Sequence, residues 1–205
     1  MPDVSEAAEA RHRMANTFQL ISTLMRMRIQ RAEDEETRRQ LTWMLDAVAA
    51  LGLLNRRGPG NHPGDFAAVL QEMGPVWRRR CEGRPVRIEI EAETLMVQER
   101  DESALVLIAH ELVSNALSHA FPDGAGGLIR VTLRQGGEGR GELAVTDDGR
   151  GYDPQTATKA RLGLWLIAGL ASQVQATVTT RTDDGVAVRL NFPLPAAQDH
   201  PTPEP

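Results

Sequence analysis

Four groups of residues in this chain have types and spacing that chemistry can use. The first is His110-Glu111-Leu112-Val113-Ser114-Asn115-Ala116-Leu117-Ser118-His119-Ala120. In a helix, Glu111 and Asn115 stand one turn apart on the same face. A carboxylate beside an amide oxygen suits Mg²⁺ or its bound waters. The second is Val145-Thr146-Asp147-Asp148-Gly149-Arg150-Gly151. Asp147, at the end of a strand, can accept a hydrogen bond from an exocyclic amine, and Gly149 and Gly151 let a ligand approach the backbone closely. The third is Leu162-Gly163-Leu164-Trp165-Leu166, where a glycine opens a helix whose free N–H groups attract phosphate, with Lys159 and Arg161 just before it. The fourth is His12, between Glu9 and Asn16 on a helical stretch. Each has an ordinary reading when taken alone: a solvated helix face, an Asp-Gly turn, a helix start, an exposed histidine.

Helices and strands must hold these groups in place. Met14, Phe18, Ile21 and Met25 recur at helical spacing, and Leu20, Leu24 and Met27 widen the stripe to about half the circumference at roughly 100° per residue. His12 lies opposite the centre of that stripe and is expected to face solvent. A polar turn, Arg31-Ala32-Glu33-Asp34, leads to a second amphipathic helix carrying Leu41, Met44, Leu45, Val48 and Leu51. Two helices cannot close a core, so pairing with a second copy into a four-helix bundle is expected.

The run Arg57-Gly58-Pro59-Gly60-Asn61-His62-Pro63-Gly64 then breaks the chain. Beyond it, Asp65 is expected to cap a helix from Phe66 to about Arg80, followed by a half-buried strand at 86–91. A long helix at 101–120, strands at 128–134 and 142–146, a helix at 162–174 and a hairpin of 176–181 with 186–192 around Asp183-Asp184-Gly185 complete the pattern. Mixed helices with mainly antiparallel strands predict an α+β sandwich. The domains expected are 1–57, 65–194 and a Pro-rich, disordered tail at 195–205.

Composition is that of an ordinary soluble protein, with 41% hydrophobic and 25% charged residues. A net charge of −5 argues against a nucleic-acid-binding surface. Lys159 is the only lysine. The single cysteine, Cys81, cannot form an internal disulfide, which fits a reducing compartment, and is expected to be an unreactive helix residue. No signal peptide or membrane span is expected, since the longest apolar run, 162–171, falls well short of roughly 20 residues. The expected location is cytoplasmic. With only eleven residues ahead of His12, input is expected from a separate sensor or upstream protein.

Taken in order, the asparagine helix, the acidic-glycine turn and the glycine helix start resemble the N, G1 and G2 boxes of the GHKL ATP-binding fold. That fold is shared by gyrase, a heat-shock chaperone, histidine kinases and mismatch-repair ATPases. The resemblance spans roughly 66–193. The stretch from His110-Glu111-Leu112 to Phe121-Pro122-Asp123-Gly124 is similar to the histidine-kinase branch with an HRxxN acceptor motif, related to the HWE kinases. Glu9-Ala10-Arg11-His12-Arg13-Met14-Ala15-Asn16-Thr17-Phe18-Gln19-Leu20-Ile21 resembles the acceptor helix of that branch.

The resemblance implies a dimerising acceptor hairpin followed by a GHKL α/β sandwich. It implies that His12 is phosphorylated from ATP and passes the phosphoryl group to an aspartate of a response-regulator receiver domain. Glu9 or Glu111 would keep the attacking imidazole nitrogen unprotonated. Asn115, Asp147, Gly149, Gly151, Gly163, Leu164, Lys159 and Arg161 would bind ATP, and Asn115 and Glu111 would hold Mg²⁺, partly through water. The chain departs from the pattern at Met14-Ala15 and Ser118, where the family usually carries lysine, and its lid between Gly151 and Gly163 is short. The alternative is a histidine phosphotransferase with a degenerate ATP domain that is phosphorylated by another kinase. An anti-sigma-type serine kinase would lack the acceptor hairpin, and a plain scaffold would leave the nucleotide boxes without a purpose.

Overall fold

The computed structural model describes residues 4–57, 65–151 and 161–195. The N-terminal region is a helical hairpin, α1 (Val4–Arg31) and α2 (Glu35–Arg57). Its turn falls where the polar run predicted it. Asp34 starts α2, accepting from Thr37 N at 2.7 Å, and acidic Glu35 and Glu36 follow at the positive end of the helix dipole.

Next comes α3 (Phe66–Arg79), capped by Asp65, whose carboxylate accepts from Ala67 N at 3.1 Å. Five strands follow with two more helices between them: β1 (Val86–Ala92), α4 (Glu99–His119), β2 (Gly127–Gln135), β3 (Arg140–Asp147), α5 (Arg161–Gln173), β4 (Thr177–Arg181) and β5 (Val186–Pro193). The strand order is β1-β2-β3-β5-β4. Only β1 and β2 are parallel, and that geometry needs a long crossover, which α4 supplies.

Alternation along the strands sorts the two faces of the sheet. Ile129, Val131, Leu133, Leu143 and Leu190 point to the helices and are fully buried. Glu89, Glu91, Arg130 and Arg134 form ion pairs on the open face. The core under the helices is filled by Phe66, Leu70, Met73, Trp77, Leu105 and Ile108. Cys81 sits in the turn after α3 and not in the helix, because α3 ends at Arg79. Partial burial pushes its thiol pKa up.

The expected disordered tail and the Gly/Pro break lie almost wholly outside the described residues, as does Lys159.

Candidate nucleotide and phosphoacceptor sites

Helix α4 carries Glu111 and Asn115 on the face that meets α5. Asn115 Nδ2 donates to Glu111 Oε1 at 3.0 Å, which turns the amide oxygen outward as a free acceptor. Burial raises the pKa of Glu111. Gly163, in the first turn of α5, lies directly over this pair. A Cβ on it would overlap Glu111 Oε1 and stand 3.4 Å from Asn115 Nδ2. Glycine therefore brings the N-terminus of α5, with its free N–H groups, against the carboxylate–amide pair. Arg161 begins the same helix, and Leu164 is exposed beside Gly163.

Asp147 ends β3, half-buried. Its Oδ1 accepts from Gly149 N at 3.1 Å and Val186 N at 3.3 Å, so the turn and the neighbouring strand hold its carboxylate in place. Burial raises its pKa, with Asp148 adding to the shift, while those two hydrogen bonds oppose it. Gly149 packs against the Ala120 carbonyl and methyl, closer than any side chain would allow. Arg150 N donates to that same carbonyl at 3.0 Å. Gly151 has φ +73°, a left-handed conformation that favours glycine. Asp148 is committed elsewhere: its Oδ1 accepts from Leu128 N at 2.7 Å and fixes the start of β2. Asn115, Asp147, Gly149, Gly151 and Gly163 thus come from three separate segments, α4, the end of β3 with its turn, and α5, to one end of the sandwich.

These donors suit Mg²⁺ only in part. Asn115 offers one free amide oxygen, and no cluster of three or more His, Cys, Asp or Glu residues exists among the described residues. A magnesium ion here would take most of its ligands from phosphate oxygens and water, as this hard cation commonly does.

His12 is exposed on α1, as its helical angle predicted. Glu9 forms an ion pair with Arg13 and is not a hydrogen-bond partner of His12. Glu111 is engaged with Asn115 on α4. The polar group that does meet the acceptor ring is Asn16, whose side-chain nitrogen lies 3.4 Å from His12 Nδ1. Asn16 belongs to the acceptor-helix motif, and its place one turn after His12 is what sets its amide beside the ring.

A feature that the sequence reading overlooked joins the hairpin to the ATP-domain fold. His110 is completely buried between two tryptophans. Trp77 Nε1 donates to His110 Nδ1 at 3.2 Å, so Nδ1 is unprotonated. The proton then sits on Nε2, which donates to the Trp43 carbonyl of α2 at 3.2 Å. The Trp43 ring stacks on the imidazole with centroids 5.7 Å apart. Burial lowers the His110 pKa to about 4, with the Arg80 charge adding to the shift and the Trp43 carbonyl opposing it. Nearby, the Trp43 indole nitrogen is buried without completing a hydrogen bond, although its position toward Glu111 favours that carboxylate. Asp46 Oδ2 is likewise buried and unbonded, 4.0 Å from Arg80, and burial raises its pKa.

Comparison with known proteins agrees with this geometry. A family model described as histidine kinase-like ATPase domain matches residues 81–192, and one described as histidine kinase matches residues 9–58. The chain belongs to the histidine kinase family, with an ATPase domain of that type. It is 27% identical over 207 residues to a blue-light-activated histidine kinase of Erythrobacter litoralis, covering 92% of this chain and 57% of that protein. It is 28% identical over 171 residues to the sensor histidine kinase PdtaS of Mycobacterium tuberculosis, covering 80% and 34%. The chain therefore spans between a third and somewhat more than half of these relatives. Among solved structures, the histidine kinase domain of an Erythrobacter litoralis blue-light-activated kinase superposes with a TM-score of 0.69 at 19% identity, covering 86% of this chain and 96% of that one. At that identity the likeness speaks for the fold.

Proposed function

We propose that this chain is the catalytic core of an ATP-dependent protein-histidine kinase that phosphorylates its own His12. The observation that carries the reading is the convergence of Asn115, Asp147, Gly149 and Gly163 at one end of a sandwich joined to a hairpin with an exposed histidine. The Asp147 carboxylate would accept from an exocyclic amine of the base. The α5 N-terminus, with Lys159 and Arg161, would meet the phosphates. Bound Mg²⁺ would neutralise phosphate charge, held by Asn115 directly and by Glu111 through water.

Phosphoryl transfer needs an unprotonated imidazole nitrogen in line with the γ-phosphorus. His12 Nε2 forms the N–P bond as the bond from that phosphorus to the bridging oxygen breaks, and ADP leaves with that electron pair. Nε2 attacks only when the ring proton is on Nδ1; a half-turn of the Asn16 amide, which here presents its nitrogen to Nδ1, would bring its oxygen round to accept from the Nδ1 proton and leave Nε2 free. Glu9 and Glu111 would need to give up their present partners to take that role. The phosphoryl group then passes to an aspartate of a receiver domain. A relay module fed by another kinase would require none of the nucleotide-site glycine packing, so it is the less economical reading.

The exposed apolar row of α1, with Leu20 at 62% and Leu24 at 54% exposure, supports a homodimer. No helix among the described residues is long and apolar enough to cross a membrane. Incubating the pure protein with γ-labelled Mg-ATP tests the reading. Acid-labile label is expected on the wild type and absent from His12→Ala and from Asp147→Asn. Label that persists in folded His12→Ala would overturn it.

A further inference from the structure

A cavity of about 380 Å³ opens between the start of α2 and the C-terminal half of α4. Four arginines line it, Arg38 and Arg39 from α2 and Arg80 and Arg84 from the α3–β1 connection, against a single lining carboxylate, Glu35. In a chain of net charge −5 this is a local reversal of sign. The charges are weakly spent. Arg38 pairs with Glu35 at 2.6 Å and Arg39 with Glu36, both on the solvated surface of α2, where such pairs hold little free energy. Arg80 donates to Ser114 Oγ at 2.9 Å and finds its nearest carboxylate at 4.0 Å. Arg84 donates only to main-chain carbonyls, Leu117 at 2.8 Å and Phe121 at 3.3 Å, and makes no ion pair among the described residues.

The cavity borders the nucleotide face. Ser118, on its wall, lies one turn beyond Asn115. His119 follows, and the charges of Arg39 from the hairpin and Arg150 from the G1 turn both act on its imidazole, which is also partly desolvated. Arg39 of the hairpin thus shares this cavity wall with Leu117 and Ser118 at the end of α4. The α4 residues on this wall, Leu117 and Ser118, offer one neutral hydroxyl and no charge.

We infer that this cavity takes the phosphate chain of the nucleotide, with Arg39 of the hairpin adding its positive charge to that of Arg80 and Arg84 from the ATP domain. The inference rests on the nucleotide site proposed above and extends it onto α2. By linkage, a triphosphate that touches α2 also draws the hairpin onto the ATP domain, and its removal weakens that docking.

Binding measurements on the full chain test it, using Mg-ATP, adenosine and inorganic tripolyphosphate as separate probes. The proteins are wild type, Arg39→Gln, Asp147→Asn and Arg26→Gln, the last a charge loss on exposed α1. Arg39→Gln is expected to weaken ATP and tripolyphosphate about tenfold and leave adenosine unchanged, as fits loss of a charge-assisted contact. Asp147→Asn is expected to weaken ATP and adenosine and leave tripolyphosphate unchanged. Arg26→Gln should change none of the three. Unchanged ATP affinity in Arg39→Gln, or tripolyphosphate that binds without competing with ATP, overturns the inference and leaves the nucleotide site standing. A wild type that binds no ATP overturns both.

Discussion

The two halves of the molecule are built unequally. The largest fully buried side chains, from Trp77 and Phe66 to Leu190 and Phe192, all lie in the ATP domain. Helix α1 buries none outright among its described residues, and Met14, Leu20, Leu24 and Met27 stay exposed. The hairpin's buried residues are Ala47, Ala50, Gly52 and Leu53, toward the end of α2. The ATP domain thus has a core of its own, as an independently folding unit needs. The hairpin depends on the Trp43–His110 contact, that end of α2, and whatever covers its open row. A rigid ATP domain joined to a loosely held hairpin suits the reaction proposed above, in which His12 would have to reach the nucleotide and then be released to a receiver domain.

The largest expected effect separates the halves directly. Trp77→Ala should cost about 3–5 kcal/mol, the range for large core truncations, and should abolish nucleotide binding. Leu24→Ala in dilute solution should cost less than about 0.5 kcal/mol, the range for surface changes. Urea unfolding followed by tryptophan fluorescence and circular dichroism measures both, and equal costs would break the comparison.

His110 sharpens it through pH. Its pKa falls from 6.5 to about 4 on folding. A depressed histidine gives stability that is full above its unfolded value and is lost as pH falls from about 6.5 toward 4, up to about 3 kcal/mol. Asp46, Glu111 and Asp147 have raised values and act in the opposite sense, gaining stability as pH falls through them. His110→Gln should therefore remove the loss and flatten or invert the wild-type decline over that window. An unaltered pH profile would show that the bridge between α2 and α4 is not held by a neutral imidazole.

Gly163→Ala tests the site without touching the core. Because a Cβ there overlaps the Glu111 carboxylate, that side chain must swing off Asn115, and nucleotide affinity should fall between about tenfold and a hundredfold while the melting midpoint barely moves. Among substitutions at the buried seam between hairpin and ATP domain, the smallest change is expected from Asp46→Asn, within about 1 kcal/mol of wild type, because Asp46 Oδ2 is buried, unbonded and far from ideal geometry with Arg80. A loss well beyond that would make this ion pair a principal hold on the hairpin.

Much of the design was readable from local pattern. Period-3.6 stripes marked α1 and α2, alternation marked β1, and the glycine spacing set Gly149, Gly151 and Gly163 at the turns and helix start where they lie. Element ends moved by one or two residues, as at α4, which starts at Glu99 and not Asp101, because the acidic first turn extends the helix. What escaped notice joins residues distant in sequence. His110 was read only as part of a motif, yet Trp43 and Trp77, 67 and 33 positions away, determine its tautomer and burial. The arginine cavity likewise needs α2 packed beside α4, which no single window contains. Asn16 was within reach, since helical spacing alone sets it beside His12.

The most direct test of the central claim is site mapping of the phosphoryl group by tandem mass spectrometry under alkaline conditions, after incubation with Mg-ATP. The account predicts phosphate on His12, dependent on Asp147 and Gly163. Phosphate on another residue, or on His12 at an undiminished rate in the Asp147→Asn protein, would contradict it.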